Sequence, residues 1–422
     1  MTVQDGNLPI LNRREFVQGI STAAVSGAVL HAVGARGEAV LSANDKVQIG
    51  VIGPGSRGQE LIRQLLHLPN TEIVAVCDIY EPRFAQVNQL AGKTVPSYKD
   101  YRELLARTDL DAIVVATPIA HHAEHVIASI RSGRPVYGEK ALGFTPDDCS
   151  NIVREVEKSG QIFQIGHEYR YAAWVQEAIK HVHEGRIGQP THVYAYWHRN
   201  NDWRRPVPSL DPDGRLEHLI NWRLYRETSG GQLTELGSHH IDIANWVFDE
   251  QPANVMGTMS LVRYHDGRTV GDNVQAIFGY SGGRRLFFSS LTDNAEVGNQ
   301  LWIYGTEGSV QLTIEDATFY FEPKKQKAVA AQAEVIQKGI VTGASYQTKD
   351  EMPYRGPGEK LQVADAEDPT LAALRAFVHS VKTKQKAFAD VRVGYASAIC
   401  TSVGNQALLD ESALKIPQMS QA

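Results

Sequence analysis

The stretch KVQIGVIGPGSRG, residues 46–58, decides the fold. It joins a β-rich apolar run to Gly53, Gly55 and Gly58. The chain then continues as SRGQELIRQLLHL, in which Leu61, Leu65, Leu66 and Leu68 recur at helical spacing. Glycines also mark ordinary turns. Here they follow a strand, open a helix and precede a second apolar strand, EIVAVCD (72–78), which ends in Asp78, twenty positions after Gly58. In that context the glycines form a dinucleotide-binding fingerprint. Gly53 permits the tight turn, Gly55 lets the backbone approach a pyrophosphate, and Gly58 lets the helix pack closely on the strand. Ser56 and Arg57 open that helix, whose amino end offers unpaired N–H groups and a favourable dipole to phosphate. Asp78 suits the ribose hydroxyls and repels a 2′-phosphate, favouring NAD over NADP, although Arg83 nearby keeps NADP open; the alternative reading of Asp78 is the start of a turn.

The alternation continues. DAIVVATP (111–118), PVYGEKAL (135–142) and QIFQIGH (161–167) read as strands, separated by the helices HHAEHVIASIRSG (121–133) and PDDCSNIVREVEKSG (146–160). Repeated βα units of this length predict a parallel, doubly wound α/β sheet that binds its ligand at the carboxyl ends of the strands. Thr117, Pro118, His122, Glu139, Lys140 and His167 all fall at such ends. A lone lysine is usually solvated, but one closing an apolar strand beside a cofactor crevice is a proton-transfer candidate, because burial lowers its pKa.

From residue 191 the texture changes to partly alternating β-rich segments, interrupted by one helix at about 233–247. Together with the first half, this predicts a Rossmann domain at 44–166 and a C-terminal α/β domain at 167–390 with a large open mixed or antiparallel sheet. A closing helix and tail at 391–422 pack back on the body, and the polar stretch 323–367 is expected to be a long loop or flap. The helix lies in SGGQLTELGSHHIDIANW (229–246). At about 100° per residue, Glu235, His239, Asp242 and Trp246 share a narrow stripe, while Leu236, Ile243 and Val247 form an apolar one. His240 projects elsewhere. Three readings compete: a solvated face, a metal site, and an acid–base group facing a nicotinamide. His239 with Glu235 or Asp242 has usable metal spacing, but no third strong ligand motif is evident, so no metal is expected. Either acid can hydrogen-bond the His239 ring and set its tautomer.

These pieces together resemble the glucose–fructose oxidoreductase, inositol dehydrogenase and rhizopine-catabolism (Gfo/Idh/MocA) family. The matching elements are GPGSRG (53–58), CD (77–78), TPIAHH (117–122), GEKA (138–141), GHEYR (166–170), SGGQLTELGSHHID (229–242) and YGTEGSV (304–310). The resemblance covers roughly residues 45–410. It implies hydride transfer between NAD(P) and a sugar, polyol or related carbonyl, and a flat sheet face that builds homodimers or homotetramers. The family's Glu-Lys-Pro element falls on Glu139-Lys140, with Ala141 in place of proline, and its Asp-x-x-x-His falls on Glu235 and His239, with a longer acid. Lys140 and His239 are the expected acid–base groups, with Glu235, Asp242 and Tyr169 as further catalytic candidates. Arg170, Trp203, Arg204, Trp222, Arg223, His239 and His240 are expected to contact a carbohydrate. An NAD-dependent glycosidase, which oxidises a sugar hydroxyl, eliminates the aglycone, hydrates and re-reduces, would use the same groups. A non-catalytic sugar-binding protein is the third reading.

The chain has 422 residues, 42% of them hydrophobic, and a formal net charge of −6. Such acidity argues against a general nucleic-acid or anionic-membrane binder, despite the aromatic and basic interleaving of YWHRNNDWRRPVP (196–208). Cys77, Cys149 and Cys400 show no disulfide or zinc pattern. The N-terminal segment NRREFVQGISTAAVSGAVLHAVGARGEA (12–39) pairs Arg13-Arg14 with an apolar, small-residue run. It resembles a twin-arginine export signal within a leader at 1–43, the alternative being an amphipathic or disordered leader. The expectation is an exported, periplasmic protein that meets the twin-arginine machinery, holds its NAD tightly and has no stable membrane anchor.

Overall fold

The structure is a computed structural model that describes residues 46–419, apart from 209, 323–357 and 365. The proposed leader and most of the 323–367 loop lie outside the described residues.

Strand β1 (Val47–Ile52) is buried along almost its whole length, because it is flanked by two parallel neighbours and covered on both faces. The neighbours are β2 (Thr71–Cys77) and β4 (Ala112–Val115). With β3 (Ser97–Tyr98), β5 (Val136–Glu139) and β6 (Phe163–Gly166) they form a six-stranded sheet of order β3-β2-β1-β4-β5-β6. The chain reverses its direction of sheet growth between β1 and β4, which opens the crevice where such sheets bind ligands. Helix α1 (Ser56–Leu66) starts at that point and buries Gly58, Leu61, Ile62 and Leu65. Ile62 supplies the inward position that the leucine count had given to Leu66, which is exposed. Helices α2 (Pro82–Ala91), α3 (Tyr101–Leu105), α4 (His122–Arg131) and α5 (Pro146–Ser159) complete the βα units. The last is opened by a Thr145/Asp148 capping box.

After helix α6 (Ala173–His183), strand β7 (Pro190–His198) begins the second sheet. Short helix α7 (Arg215–Ile220) precedes a π-type turn at Leu233–Gly237, which runs into α8 (Ser238–Phe248). The remaining strands are β8 (Asn254–Ser260), β9 (Asn273–Gly279), β10 (Arg285–Leu291), β11 (Asn299–Gly305), β12 (Gly308–Thr313), β13 (Ala317–Phe321), β14 (Glu359–Lys360) and β15 (Leu414–Lys415). The sheet order is β14-β13-β12-β11-β7-β10-β9-β8-β15, antiparallel except for the β7–β10 pair. Its strands alternate buried and less buried residues, as β10 does throughout with half-buried outward positions, so one face packs inward and the other faces out.

Two results differ from the sequence reading. Helix α9 (Pro369–Thr383), assigned by sequence to the second domain, packs on the first: Leu374, Phe377 and Val378 share a buried cluster with Val47, Ile49 and Val51. The first sheet needs cover on both faces, and this distant helix supplies part of it. Helix α8 is buried on nearly every side, including His239, His240 and Asp242, rather than anchored by one apolar stripe. The long helix α10 (Val391–Asp410) packs against α5, α8 and β8 and joins the two sheets in one core.

Candidate active site

A cleft of about 240 Å³ lies between the carboxyl ends of the first sheet and the inner face of the second. Its first wall carries Arg57 from the glycine turn and Thr117, against which that turn packs. Gly53 has φ +85°, and a Cβ there would meet Thr117 at 2.7 Å; a Cβ on Gly58 would meet the Gly53 carbonyl oxygen at 2.3 Å. Only glycine fits either position. Gly55, in contrast, has nothing within 4 Å of its would-be Cβ, so the backbone there is open to a ligand. Asp78 follows β2, and its Oδ1 accepts a hydrogen bond from the Tyr80 amide at 2.9 Å. Burial raises its pKa against the opposing pull of that bond and of Arg83. An open amide turn at a helix amino end, with an acid one strand away, fits an adenine dinucleotide.

The strand ends bring chemistry to the same place. Arg57 donates to Glu139 Oε1 at 2.8 Å, lies 3.5 Å from Glu168 Oε2 and reaches Thr370 of α9 at 3.3 Å. Burial works against its charge, but Glu139 and Glu168 outweigh it and raise its pKa. Arg57 is therefore held by protein acids. The His122 ring nitrogens lie 2.7 and 2.8 Å from the Ala141 and Thr117 carbonyl oxygens, so this histidine ties together the loops after β4 and β5. Beyond β5, Lys140 donates to the Glu235 backbone oxygen at 2.8 Å and lies 3.6 Å from Glu235 Oε2. Arg223 donates to that same oxygen at 3.2 Å. Burial alone would raise the Glu235 pKa, yet Lys140 and Arg223 overcome it and hold the group below the ordinary carboxylate value.

His239 lines the cleft beside them, its Nδ1 3.9 Å from Glu168 Oε2. Burial first, then the charge of Lys140 and the neighbouring His167 and His240, push its pKa well below the usual histidine range. It is a neutral base at pH 7. Tyr169 stacks on its ring, with centroids 4.8 Å apart. The Tyr169 hydroxyl accepts from Asn299 at 2.9 Å, and burial raises its pKa. The sequence reading of Tyr169 as a further acid–base thus meets a neutral phenol that backs His239.

Of the other expected site residues, Thr117, Glu139, Trp203, Trp222 and Arg223 line the cleft. Asp242 and Arg170 do not. They form a buried pair at 2.7 Å, with the guanidinium 4.8 Å from the Trp246 ring. The stripe failed at Asp242, which lies in the regular helix with His239 but is taken by the buried Arg170 guanidinium. His240 contacts Asn299 Oδ1 at 3.0 Å and His167 contacts Ser397 Oγ at 2.7 Å, so both stand behind the lining. Arg204 is also turned away, binding Asp266 and Glu217. The sequence reading missed Glu168, Trp197 and Arg199, all in the lining. Glu168 lay inside the quoted GHEYR, and Trp197 and Arg199 inside YWHRNNDW, where alternate residues of an end-of-strand segment face one side. A larger depression of about 640 Å³ beside α3 and α4 presents charges already paired, such as Arg102 with Glu124 and Arg131 with Glu155.

Residues 47–167 match the family described as "Oxidoreductase family, NAD-binding Rossmann fold", and residues 175–311 match the "GFO/IDH/MocA C-terminal domain". Among curated relatives, inositol 2-dehydrogenase 3 of Saccharopolyspora erythraea is 34% identical over 208 residues, 49% of this chain and 54% of that protein. The 2,7-anhydro-N-acetylneuraminate hydratase of Mediterraneibacter gnavus is 30% identical over 233 residues, 55% of this chain and 57% of that protein. The chain thus spans about half the length of these relatives. A solved levoglucosan dehydrogenase in complex with NADH shares the fold at 20% identity, with a TM-score of 0.68 over 89% of this chain and all of that one. With both its domains matched by one family, and the glycine turn, Lys140 and His239 converging on one cleft, the chain belongs to the Gfo/Idh/MocA oxidoreductases.

Proposed function

We propose that this protein is an NAD-dependent oxidoreductase acting on a hydroxyl of a sugar or polyol. One observation carries the reading: Lys140, Glu235 and His239 line one cleft together with Arg57 of the glycine turn and with Thr117, against which Gly53 packs. Bound NAD supplies the hydride acceptor. The turn and the α1 amino end would hold its phosphates, and Asp78 would take a ribose. The neutral His239 imidazole accepts the proton of the reacting hydroxyl. Lys140, fixed by the Glu235 carbonyl, donates a hydrogen bond to the same oxygen and stabilises charge that develops on it. Trp203 and Trp222 offer apolar faces to the sugar ring. The inositol and levoglucosan dehydrogenase relatives support this substrate class.

A second reading rests on Glu168. Burial raises the pKa of this carboxyl against the pull of Arg57, and it lies beside His239. A carboxyl beside the base is placed to exchange a proton with a leaving group, which suits transient oxidation followed by elimination and hydration, as in an NAD-dependent glycosidase. The hydratase relative favours keeping this reading. The twin-arginine-type leader supports export to the periplasm with tightly held NAD. The half-exposed aromatic row on the outer face of the second sheet, including Tyr194 stacked on Phe287 at 4.5 Å and Trp302 beside Tyr304, supports a homodimer or homotetramer.

The test is to purify the protein, assay co-purified NAD(H) by absorbance, and present sugars, polyols and aryl glycosides. Net NADH formation that falls at least about 100-fold in Lys140→Ala and His239→Ala, with NADH binding kept, is expected. Aglycone release without net NADH would select the second reading, and near-normal turnover in the double variant would sink both assignments.

A further inference from the structure

Four cationic side chains line the cleft, Arg57, Lys140, Arg199 and Arg223, against the three carboxylates Glu139, Glu168 and Glu235. The carboxylates are engaged by three of the cations. Arg57 sits between Glu139 and Glu168, and Lys140 and Arg223 share Glu235. Arg199 has no carboxylate partner among the described residues. Its guanidinium lies 5.2 Å from the Trp203 ring and 5.6 Å from the Trp197 ring. Its backbone N–H donates to the Leu291 carbonyl at 2.9 Å, which fixes where the side chain leaves the end of β7.

The position of Arg199 separates it from the cofactor phosphates. It belongs to the second-sheet wall, and Trp197 connects it to His239, with ring centroids 5.8 Å apart. The glycine turn lies on the opposite wall and receives a different arginine, Arg205, which donates to Ser56 Oγ. Arg199 therefore faces the volume next to the proposed base, where the substrate goes. A guanidinium cannot escape its charge by losing a proton, and a half-buried one without an acid carries an uncompensated desolvation cost. An incoming oxyanion relieves that cost and receives a planar, two-pronged hydrogen-bond donor. The aromatic faces beneath the guanidinium hold it flat.

We propose that the substrate is an acidic sugar, whose carboxylate or phosphate is bound by Arg199 while its ring lies against the cleft tryptophans. This rests on the oxidoreductase reading for the identity of the cleft but adds the charge class of its ligand. The expected preference for an acid over its neutral parent is about tenfold or more, the usual size for a hydrogen-bonded charge.

Calorimetric titration of the NADH-saturated protein tests this without requiring turnover. D-glucuronate, D-galacturonate and D-glucose 6-phosphate are compared with D-glucose and D-galactose. At least one acid is expected to bind about tenfold more tightly than its neutral parent, and which one does separates carboxylate from phosphate. Arg199→Gln is expected to abolish the difference, Arg199→Lys to keep part of it, and NADH affinity to stay within about twofold in both. Acids that bind no more tightly than the neutral sugars, weak binding of every ligand included, would overturn the proposal, as would a preference that survives in Arg199→Gln. If an acid binds selectively but the protein supplied with NAD+ instead takes no hydride from it, that would count against the oxidoreductase reading and leave the charge preference standing.

Discussion

On the first-sheet wall of the cleft, Arg57 is caught between Glu139 and Glu168 and the backbone is shaped around glycines; on the second-sheet wall, Arg199 lies against tryptophan faces with no acid beside it among the described residues. The first wall is completed by the protein's own groups, which suits a cofactor bound mainly by backbone amides. The second keeps a charge in reserve and has its polar network one layer back, where Arg170, Asp242, His240 and Asn299 hold the helix that carries His239. Polar residues on one short helix thus divide between the cleft and its support, and the two jobs respond differently to mutation.

The largest effect is expected behind the second wall. Asp242→Ala leaves the Arg170 guanidinium buried without its acid, at a cost of about 4 kcal/mol. Urea unfolding should show the loss, while turnover per folded molecule stays within a few-fold of the parent and the pH profile does not move. A changed profile with unchanged stability would return Asp242 to the cleft. His240 offers a second probe of the same layer. Burial pushes its pKa down to about 4. The unfolded chain takes up this proton near pH 6.5 and the folded chain does not, so stability is full above pH 6.5 and declines as the pH falls towards 4. The contribution is roughly 3 kcal/mol. Burial lowers the pKa of His122, His167 and His239 as well, and each acts with the same sign. His240→Gln should be less stable at pH 7 yet show a shallower loss between pH 6.5 and 4.5, and an unchanged slope would refute the assignment.

On the first wall two glycines can be set against each other. Gly58→Ala puts a methyl 2.3 Å from the Gly53 carbonyl oxygen, so the turn must open. We expect a loss of about 2 kcal/mol in stability and NADH binding weakened about 100-fold. Gly55→Ala meets no protein atom within 4 Å. Its Tm should stay at the parent value while NADH binding falls, because the added methyl stands where the pyrophosphate approaches. Equal effects of the two variants on Tm would remove the distinction between a packing glycine and an approach glycine.

The same contrast governs what the sequence made legible. A parallel sheet buried on both faces leaves continuous apolar runs, so five of its six strands could be read, and the residues that close them had to lie at one edge; the sixth, β3, has only two residues and leaves no run. Thr117, Glu139 and Lys140 were found in this way. The second wall gives weaker signals. Its strands alternate, its loops between 199 and 232 follow no period, and a helical wheel assumes a constant step that the π-type turn at Leu233–Gly237 breaks. Glu235, inside the turn, and His239, at the start of α8, were still identified because they lie only four residues apart. Asp242, farther along, was misassigned. That helix α9 covers the first sheet was not legible for another reason: local patterning shows that a helix has an apolar face, and chain order does not say which sheet, more than 200 residues earlier, will cover it.

The smallest expected effect tests whether the two walls meet over the cofactor. Arg205 belongs to the second-domain loop, yet its guanidinium binds Ser56 at the start of α1. Its peptide is held from both sides by the buried Asn221, which accepts from the Arg205 amide at 2.7 Å and donates to its carbonyl at 3.0 Å. Burial, together with Arg223 and Arg83, lowers the Arg205 pKa, so positive charge gathers at the helix end where the phosphates are expected. Arg205→Gln removes one charged donor from that edge and should weaken NADH about fivefold, near 1 kcal/mol, with a shallower dependence on salt. Asn221→Ala should act in the same direction without changing any charge, by releasing the loop that carries Arg205. If NADH binds equally well in both variants, the loop serves the substrate wall alone, and the cofactor is held by the first sheet without help from the second.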